Sequence, residues 1–234
     1  GRDPAPPGLA GRRMSGGDLE ATGEALRRIA LELGSMGQTG LTYAHDRYDA
    51  ARCRRMRELS AQLLAMLAGD VDPAAVHAAL ELDGGYATPH LDVRGGLFDD
   101  AGRVLLVREA VDERWTLPGG WADPLDPPTG AIEREFAEEA GLAVRAARIA
   151  FVHDGFLSNG HRRGGAPFHI WKIFFLCERQ DTADPVAGID GETTDVGFFA
   201  LDALPPLSTG RTTRAQLRAL ARSHADPSIA VTAD

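Results

Sequence analysis

Two hydrophobic periodicities divide the chain. From Asp18 to about Leu82 apolar residues return every three or four positions, the spacing of amphipathic helices. Leu19, Leu26, Ile29 and Leu33 mark the apolar face of a first helix, expected to end at Gly34. Asp46 is placed to cap a second, arginine-rich helix running through Met56, Leu59, Leu63, Leu64 and Leu67 to Gly69. Asp72-Pro73 sets a capping residue before a proline suited to the first helical position, which opens a short third helix. GGYATP, at 84–89, interrupts this pattern.

Beyond that break the signal becomes strand-like. LDVRGGLF, RVLLVRE, ARIAFVHD, PFHIWKIFFLCE and VGFFA are the strand candidates. A glycine-rich loop spans Ser158 to Ala166, Leu204-Pro205-Pro206 closes the strand region, and Arg214 to Ser223 has the pattern of a final helix. Trp115, Trp171 and His169 read as packed residues of this region. Strands around a central helix predict an α/β fold: an α/β/α sandwich on a mixed β-sheet, preceded by a small all-α N-terminal domain. The expected organisation is a disordered, Pro- and Gly-containing extension over 1–15, a helical domain over 16–84 and the α/β domain over 85–226.

Composition narrows the function classes. The chain has 234 residues and a formal net charge of −9, which argues against generic electrostatic attraction to nucleic acid. Phosphates remain possible ligands if metal ions bridge them to acidic side chains. Cys53 and Cys177, the two cysteines, lie far apart, so no disulfide framework is expected and a reducing cytoplasm fits. The first residues lack the apolar segment of a signal peptide. IWKIFFLC, the longest apolar stretch, is interrupted by Lys172 and is too short to cross a bilayer.

The candidate chemistry is concentrated in GWADPLDPPTGAIEREFAEEAGL, Gly120 to Leu142. Glu135, Glu138 and Glu139 stand at i, i+3 and i+4, so at about 100° per residue they share one stripe of a helix. Stacked like charges repel, and a cation would convert that repulsion into binding; carboxylate oxygens are the hard ligands Mg²⁺ prefers. Ile132, Phe136 and Ala140 form an apolar strip beside the acidic one. Glu133 points to the far side and is expected to be solvated. Gly141 sits where a helix-terminating glycine belongs.

This segment resembles the Nudix box, G-x5-E-x7-R-E-U-x-E-E-x-G-U, in which U is bulky and apolar. Gly120, Arg134, Glu135, Phe136, Glu138, Glu139, Gly141 and Leu142 fill their positions, and Asp126 stands where the box has its first Glu. QTGLTYAHDRYDAARCRRMRELSAQLLA, GGYATPHLDVRGG, GGWAD and GETTDVGFFALDALPPLS resemble a Nudix subfamily that has a helical N-terminal extension and acts on X-linked nucleoside diphosphates.

The resemblance implies an enzyme that uses Mg²⁺, with Mn²⁺ as a substitute, to cleave NDP-X into NMP and X-phosphate, X being of the ADP-ribose or CDP-alcohol type. It implies metal binding by Glu135, Glu138, Glu139 and the carbonyl of Gly119, with Arg134 holding the glutamates. Glu192 is the first candidate for the general base and Asp195 the second; Glu139, or the metal alone acidifying water, are the alternatives. Arg94, Arg108, Trp121, His161 and Arg162, the last two beside Arg163 on the glycine-rich loop, are candidate substrate contacts. A homodimer is expected, no membrane partner is, and RNA ends stay open as substrates. The competing functions are a nucleoside-triphosphate house-cleaning hydrolase and a non-catalytic ligand sensor.

Overall fold

A computed structural model describes residues 15–69, 71–155, 169–188 and 191–234. The chain divides into two compact units between Ala87 and Thr88, inside the segment that breaks the helical pattern. His161, Arg162, Arg163 and the N-terminal extension lie outside the described residues, apart from Ser15. Among the described residues no helix is long and apolar enough to cross a membrane.

The first unit holds α1 (Gly16–Tyr43), α2 (Arg47–Ala68) and α3 (Pro73–Glu81). Ser15 and Asp18 form a reciprocal capping box at the start of α1. Asp46 caps α2 through the N–H groups of Tyr48 and Asp49, and Asp72 caps α3 ahead of Pro73. Gly34, expected to end α1, lies in its interior. The reason is packing: a side chain at Gly34 would meet Ser60, and one at Gly37 would fall 2.8 Å from the Cys53 carbonyl. These glycines let α1 lie close against α2, an advantage that outweighs their poor helix propensity. Ser60 Oγ donates to the Ala30 carbonyl at 2.7 Å across this contact.

A second departure concerns the apolar face of α1. Leu19, Leu26 and Ile29, read as its packing face, are exposed within the chain, as is Met36. The buried side carries Arg27, Ala30, Gly34, Gly37 and Gln38.

The second unit runs β1 (His90–Leu97), β2 (Val104–Glu109), β3 (Trp115–Thr116), α4 (Pro128–Ala140), β4 (Val144–Asp154), β5 (Ile170–Arg179), β6 (Thr193–Phe199), α5 (Arg214–Ala225) and β7 (Thr232–Ala233). One sheet has the order β1-β5-β4-β7 and a second β3-β2-β6. Pairing is mixed: β1 is parallel to β5, whereas β4 is antiparallel to β5 and β2 antiparallel to β6. Alternation sorts the core into two layers. Leu105, Val107 and Phe175 pack with Ile132 and Phe136 of α4, while Leu106, Phe174 and Leu176 pack with Leu217 and Leu220 of α5. The strands are therefore covered on both faces, which is the predicted α/β/α sandwich and explains their near-continuous apolar runs. β3 and β7, two residues each, are too short to leave a periodic signal.

Candidate active site

Helix α4 is fixed first by its apolar strip. Ile132, Phe136 and Ala140 are fully buried. Gly95 of β1 makes room for them, since a side chain there would collide with the Phe136 ring. Gly141, left-handed at φ 65°, ends the helix, and the N–H of Leu142 donates to the Phe136 carbonyl at 3.2 Å. This docking turns the acidic stripe toward the turn after β3. Glu135 and Glu139 are buried, at 8% and 4% exposure, and Glu138 is half-buried.

The turn itself is held by β1. Val93 N–H donates to the Gly120 carbonyl at 2.8 Å, and Gly95 N–H donates to the Pro118 carbonyl at 3.0 Å. Gly119 has φ 137°, a conformation side chains rarely adopt, and a Cβ there would sit 2.0 Å from the Val93 carbonyl. Its N–H donates to Glu139 Oε2 at 2.9 Å. A Cβ on Gly120 would crowd both Glu135 oxygens at 3.2 Å. The glycine pair thus brings backbone directly against two of the glutamates.

Arg134 joins the carboxylates. Its Nη1 donates to Glu138 Oε2 at 2.8 Å, Nη2 lies 3.2 Å from Glu135 Oε1 and 3.5 Å from Asp123, and Nε lies 3.3 Å from Asp126 Oδ2. Asp126, the departure from the box, reaches this guanidinium despite its shorter side chain. Burial opposes the charge of Arg134, but Glu135 and Glu138 outweigh it and raise its pKa. Burial pushes Glu135 up to about 7, against Arg134 and Arg94, and Glu139 up to about 8, against Arg94 and the Gly119 N–H.

These observations bear on whether the site suits a divalent cation. The donors are hard carboxylate oxygens on one helix face, two of them buried acids that a nearby cation would hold ionised. Among the described residues no three acidic side chains already converge on one point. Arg134 holds Glu138 and the Gly119 N–H holds Glu139 along this face. In donor chemistry, hard carboxylate oxygens on one helix face beside the turn, the residues fit the ion.

The other candidates are spread around this centre. Arg94 is buried beneath it, binding both Asp92 oxygens at 2.9 and 2.8 Å and the Leu117 carbonyl at 3.3 Å. Burial opposes its charge, yet Asp92, with Glu139 and Glu109, raises its pKa. Arg108 donates to the Glu113 carbonyl at 3.1 Å and pairs across the sheet with Asp195 and Trp115. Trp121 is half-exposed, its ring 5.9 Å from that of His90. Glu192 is exposed, its carbonyl accepts from Ala110 N–H at 2.8 Å, and its charge is felt at Glu135. Asp195 is exposed and accepts from the Val196 N–H.

Several sequence expectations change. Glu133 is not merely solvated: Oε1 accepts from Ala146 N–H at 2.9 Å, tying α4 to β4. Trp171 is 46% exposed rather than packed. Trp115 packs on the α5 side, edge-on to Phe199, and His169 contacts Asp154 at 2.9 Å. Sequence reasoning did not single out Asp92, Glu109 or Arg211. Glu109 is buried and lies 3.0 Å from Arg211, and burial raises its pKa. A charge two positions from another on a doubly covered strand, as in Asp92 and Arg94, was the available signal.

A family model for the NUDIX domain matches residues 88–220, and one for the UDP-X-like, N-terminal oligomerisation domain matches residues 24–80. The Bacillus subtilis (strain 168) protein named "Putative ADP-ribose pyrophosphatase YjhB" is 36% identical over 191 residues, covering 82% of this chain and 88% of its own. A crystal structure of a UDP-X diphosphatase superposes with a TM-score of 0.56 at 28% identity, covering 91% of this chain and 99% of that one. An ADP-ribose pyrophosphatase from Streptococcus suis 89-1591 superposes with a TM-score of 0.50 at 34% identity, covering 63% of this chain and all of that one. With the domain match spanning more than half its residues, an acidic helix at its centre and a helical unit ahead of it, the chain belongs to the Nudix hydrolase family.

Proposed function

We propose that the protein hydrolyses the diphosphate linkage of a nucleoside diphosphate derivative, converting NDP-X and water into NMP and X-phosphate. The observation that carries this reading is the buried acidic face of α4 set against the Gly119–Gly120 turn and clamped by Arg134. Glu135, Glu138 and Glu139, with the Gly119 carbonyl, would hold Mg²⁺ or Mn²⁺. Held there, such an ion would supply charge to neutralise the diphosphate and to acidify the attacking water. Water oxygen bonds to one phosphorus as the bridging P–O bond breaks, and the departing phosphate carries the bridging oxygen. The water proton passes to a base, for which Glu192 is the first candidate. Arg134 keeps Glu135 and Glu138 oriented, and Gly119 N–H keeps Glu139 in place.

The named relatives point to ADP-ribose and UDP-linked compounds as the substrate class. The test is product analysis over ADP-ribose, UDP-sugars, CDP-choline, nucleoside triphosphates and capped RNA with Mg²⁺ or Mn²⁺. Metal-dependent NMP release from a diphosphate-linked substrate, lost in Glu138→Gln, is the expected result. Turnover of triphosphates alone would overturn the substrate class. Retained nucleotide binding with no turnover of any compound would overturn hydrolysis in favour of ligand sensing.

The working unit proposed is a homodimer. Ile29 and Met36, in the region matched by the oligomerisation-domain model, and Leu19 just ahead of it leave an apolar stripe on α1.

A further inference from the structure

Arg211 stands on the loop between β6 and α5, and that loop is fastened on three sides. Ser208 N–H donates to the Trp115 carbonyl at 2.8 Å, and the Ser208 hydroxyl to Asp112 at 2.7 Å. Thr212, fully buried, shares a hydrogen bond with the Thr116 hydroxyl at 2.9 Å and accepts from the Leu117 N–H at 3.2 Å. Leu117 leads directly into the turn that carries Gly119. From β5, Lys172 Nζ donates to the Arg211 carbonyl at 2.8 Å and the Gly210 carbonyl at 3.3 Å. The backbone under Arg211 is therefore fixed before any ligand arrives, which lowers the ordering cost of binding.

The Arg211 side chain leans on a buried carboxylate. Its Nε lies 3.0 Å from Glu109 Oε1, while the side chain as a whole is 38% exposed. Among the described residues Nη1 and Nη2 make no hydrogen bond, so that edge of the guanidinium is open. Glu109 ends β2 opposite Thr193, whose hydroxyl donates to the Glu139 carbonyl at 2.9 Å. Cross-strand partners share a face, so Glu109 lies on the side of α4, and its charge is felt at Glu139. The neighbouring Ala110 is bound to the Glu192 carbonyl. The pair thus stands beside the acidic site, between the Gly119 turn and Glu192. The other arginines of that centre are committed: Arg134 to four carboxylates, and Arg94 to Asp92 and the Leu117 carbonyl.

We propose that Arg211 is a substrate-binding residue: Glu109 holds its Nε, and its Nη1–Nη2 edge donates to the non-bridging oxygens of one phosphate of NDP-X. A guanidinium edge matches two phosphate oxygens, and its charge offsets the repulsion between a diphosphate and the surrounding glutamates. The inference rests on the hydrolysis proposed above and adds to that site a residue from outside the acidic helix.

The test uses ADP-ribose and the full chain in two measurements: hydrolysis with Mg²⁺, and calorimetric binding in EDTA, where the metal-dependent step is blocked. Arg211→Ala is expected to raise KM and weaken binding roughly 10- to 100-fold, with kcat changed less, the loss usual for one charge-assisted contact. Arg211→Lys, which keeps a donor without the fork, falls between. Weaker product inhibition by AMP or by ribose 5-phosphate in Arg211→Ala identifies which phosphate is held. A purely structural role is separated through Glu109. If Arg211 only balances that buried carboxylate, Glu109→Gln added to Arg211→Ala restores both melting temperature and KM, which would overturn the proposal. On the proposal the double variant regains melting temperature and keeps the raised KM. Native turnover with KM unchanged in Arg211→Ala would overturn the proposal alone. A native protein that neither binds nor hydrolyses ADP-ribose would overturn it together with the reading beneath it.

Discussion

At Arg134 one guanidinium meets the carboxylates of Asp123, Asp126, Glu135 and Glu138 within 3.5 Å. A lysine places the same charge there, but its compact ammonium lacks the planar fork and cannot span the four separated carboxylates together. Arg134→Lys should therefore lower turnover about 10- to 100-fold and raise the Mg²⁺ concentration needed for half activity, the cost usual for groups that orient metal ligands. Unchanged metal dependence would show that the clamp does not position the glutamates. Glu192 poses a different question, because it is exposed and sits on the loop leading into β6. If it takes the water proton, Glu192→Gln lowers kcat by about 10²- to 10⁴-fold with the melting temperature unchanged, while Asp195→Asn does little. The reverse pattern would exchange the two roles. The acidic stripe was legible in the sequence because helical spacing alone aligns positions 135, 138 and 139. The pairing of Glu109 with Arg211 was not, because the two residues lie far apart in sequence and only packing brings them together.

Strand β5 shows how an element hides its own orientation. Trp171 and Lys172 are neighbours in an apolar run, and alternation decides which turns inward only once the sheet is assembled. Lys172 is 2% exposed, with Nζ donating to the Arg211 carbonyl at 2.8 Å and the Gly210 carbonyl at 3.3 Å; Trp171 faces outward. Burial pulls Lys172 down from 10.5 to about 8, although Asp92 pulls the other way. The folded state thus holds this proton less tightly than the unfolded one. Between about pH 8 and 10.5 the unfolded chain binds more protons, so this lysine makes stability rise with pH across that window and contributes no slope below it. Urea unfolding of the native protein and Lys172→Met at pH 7.5, 9 and 10 should show the native curve gaining on the variant, by on the order of 3 kcal/mol over the whole window. Parallel curves would mean that Lys172 titrates normally. In α1 the same hiding occurs through glycine. Gly34 signals a helix end by propensity, yet the helix continues because α2 lies where a side chain would be. The apolar periodicity of α1 was legible, but not which surface would cover it. Leu19, Ile29 and Met36 remain exposed within the chain. Substituting Ile29→Asp with Met36→Asp should convert dimers to monomers by light scattering without loss of helical circular dichroism. Native chains that are already monomeric at micromolar concentration would remove the stripe's proposed role.

At the scale of the whole molecule, the net charge of −9 and the buried acids of α4 act in one direction. On the proposed reading both favour a divalent cation as a ligand of the folded state, because unfolding disperses three glutamates that the helix and the Gly119 turn bring to one face. A ligand that binds the native state alone stabilises it by mass action, by about 2.7 kcal/mol at a hundredfold excess over its dissociation constant. Mg²⁺ should therefore raise the melting temperature of the native protein in proportion to the logarithm of its concentration. The rise should be lost in Glu135→Gln with Glu139→Gln. That double variant should itself melt at least as high as the metal-free native protein, since it removes two buried acids whose ionisation burial opposes. The comparison separates specific coordination from general screening of an acidic chain: screening by Mg²⁺ would stabilise native and variant proteins alike, and would be matched by NaCl at equal ionic strength. A shift of equal size in both proteins would leave α4 without a metal-binding role and would leave the acidic stripe to be explained by its pairing with Arg134.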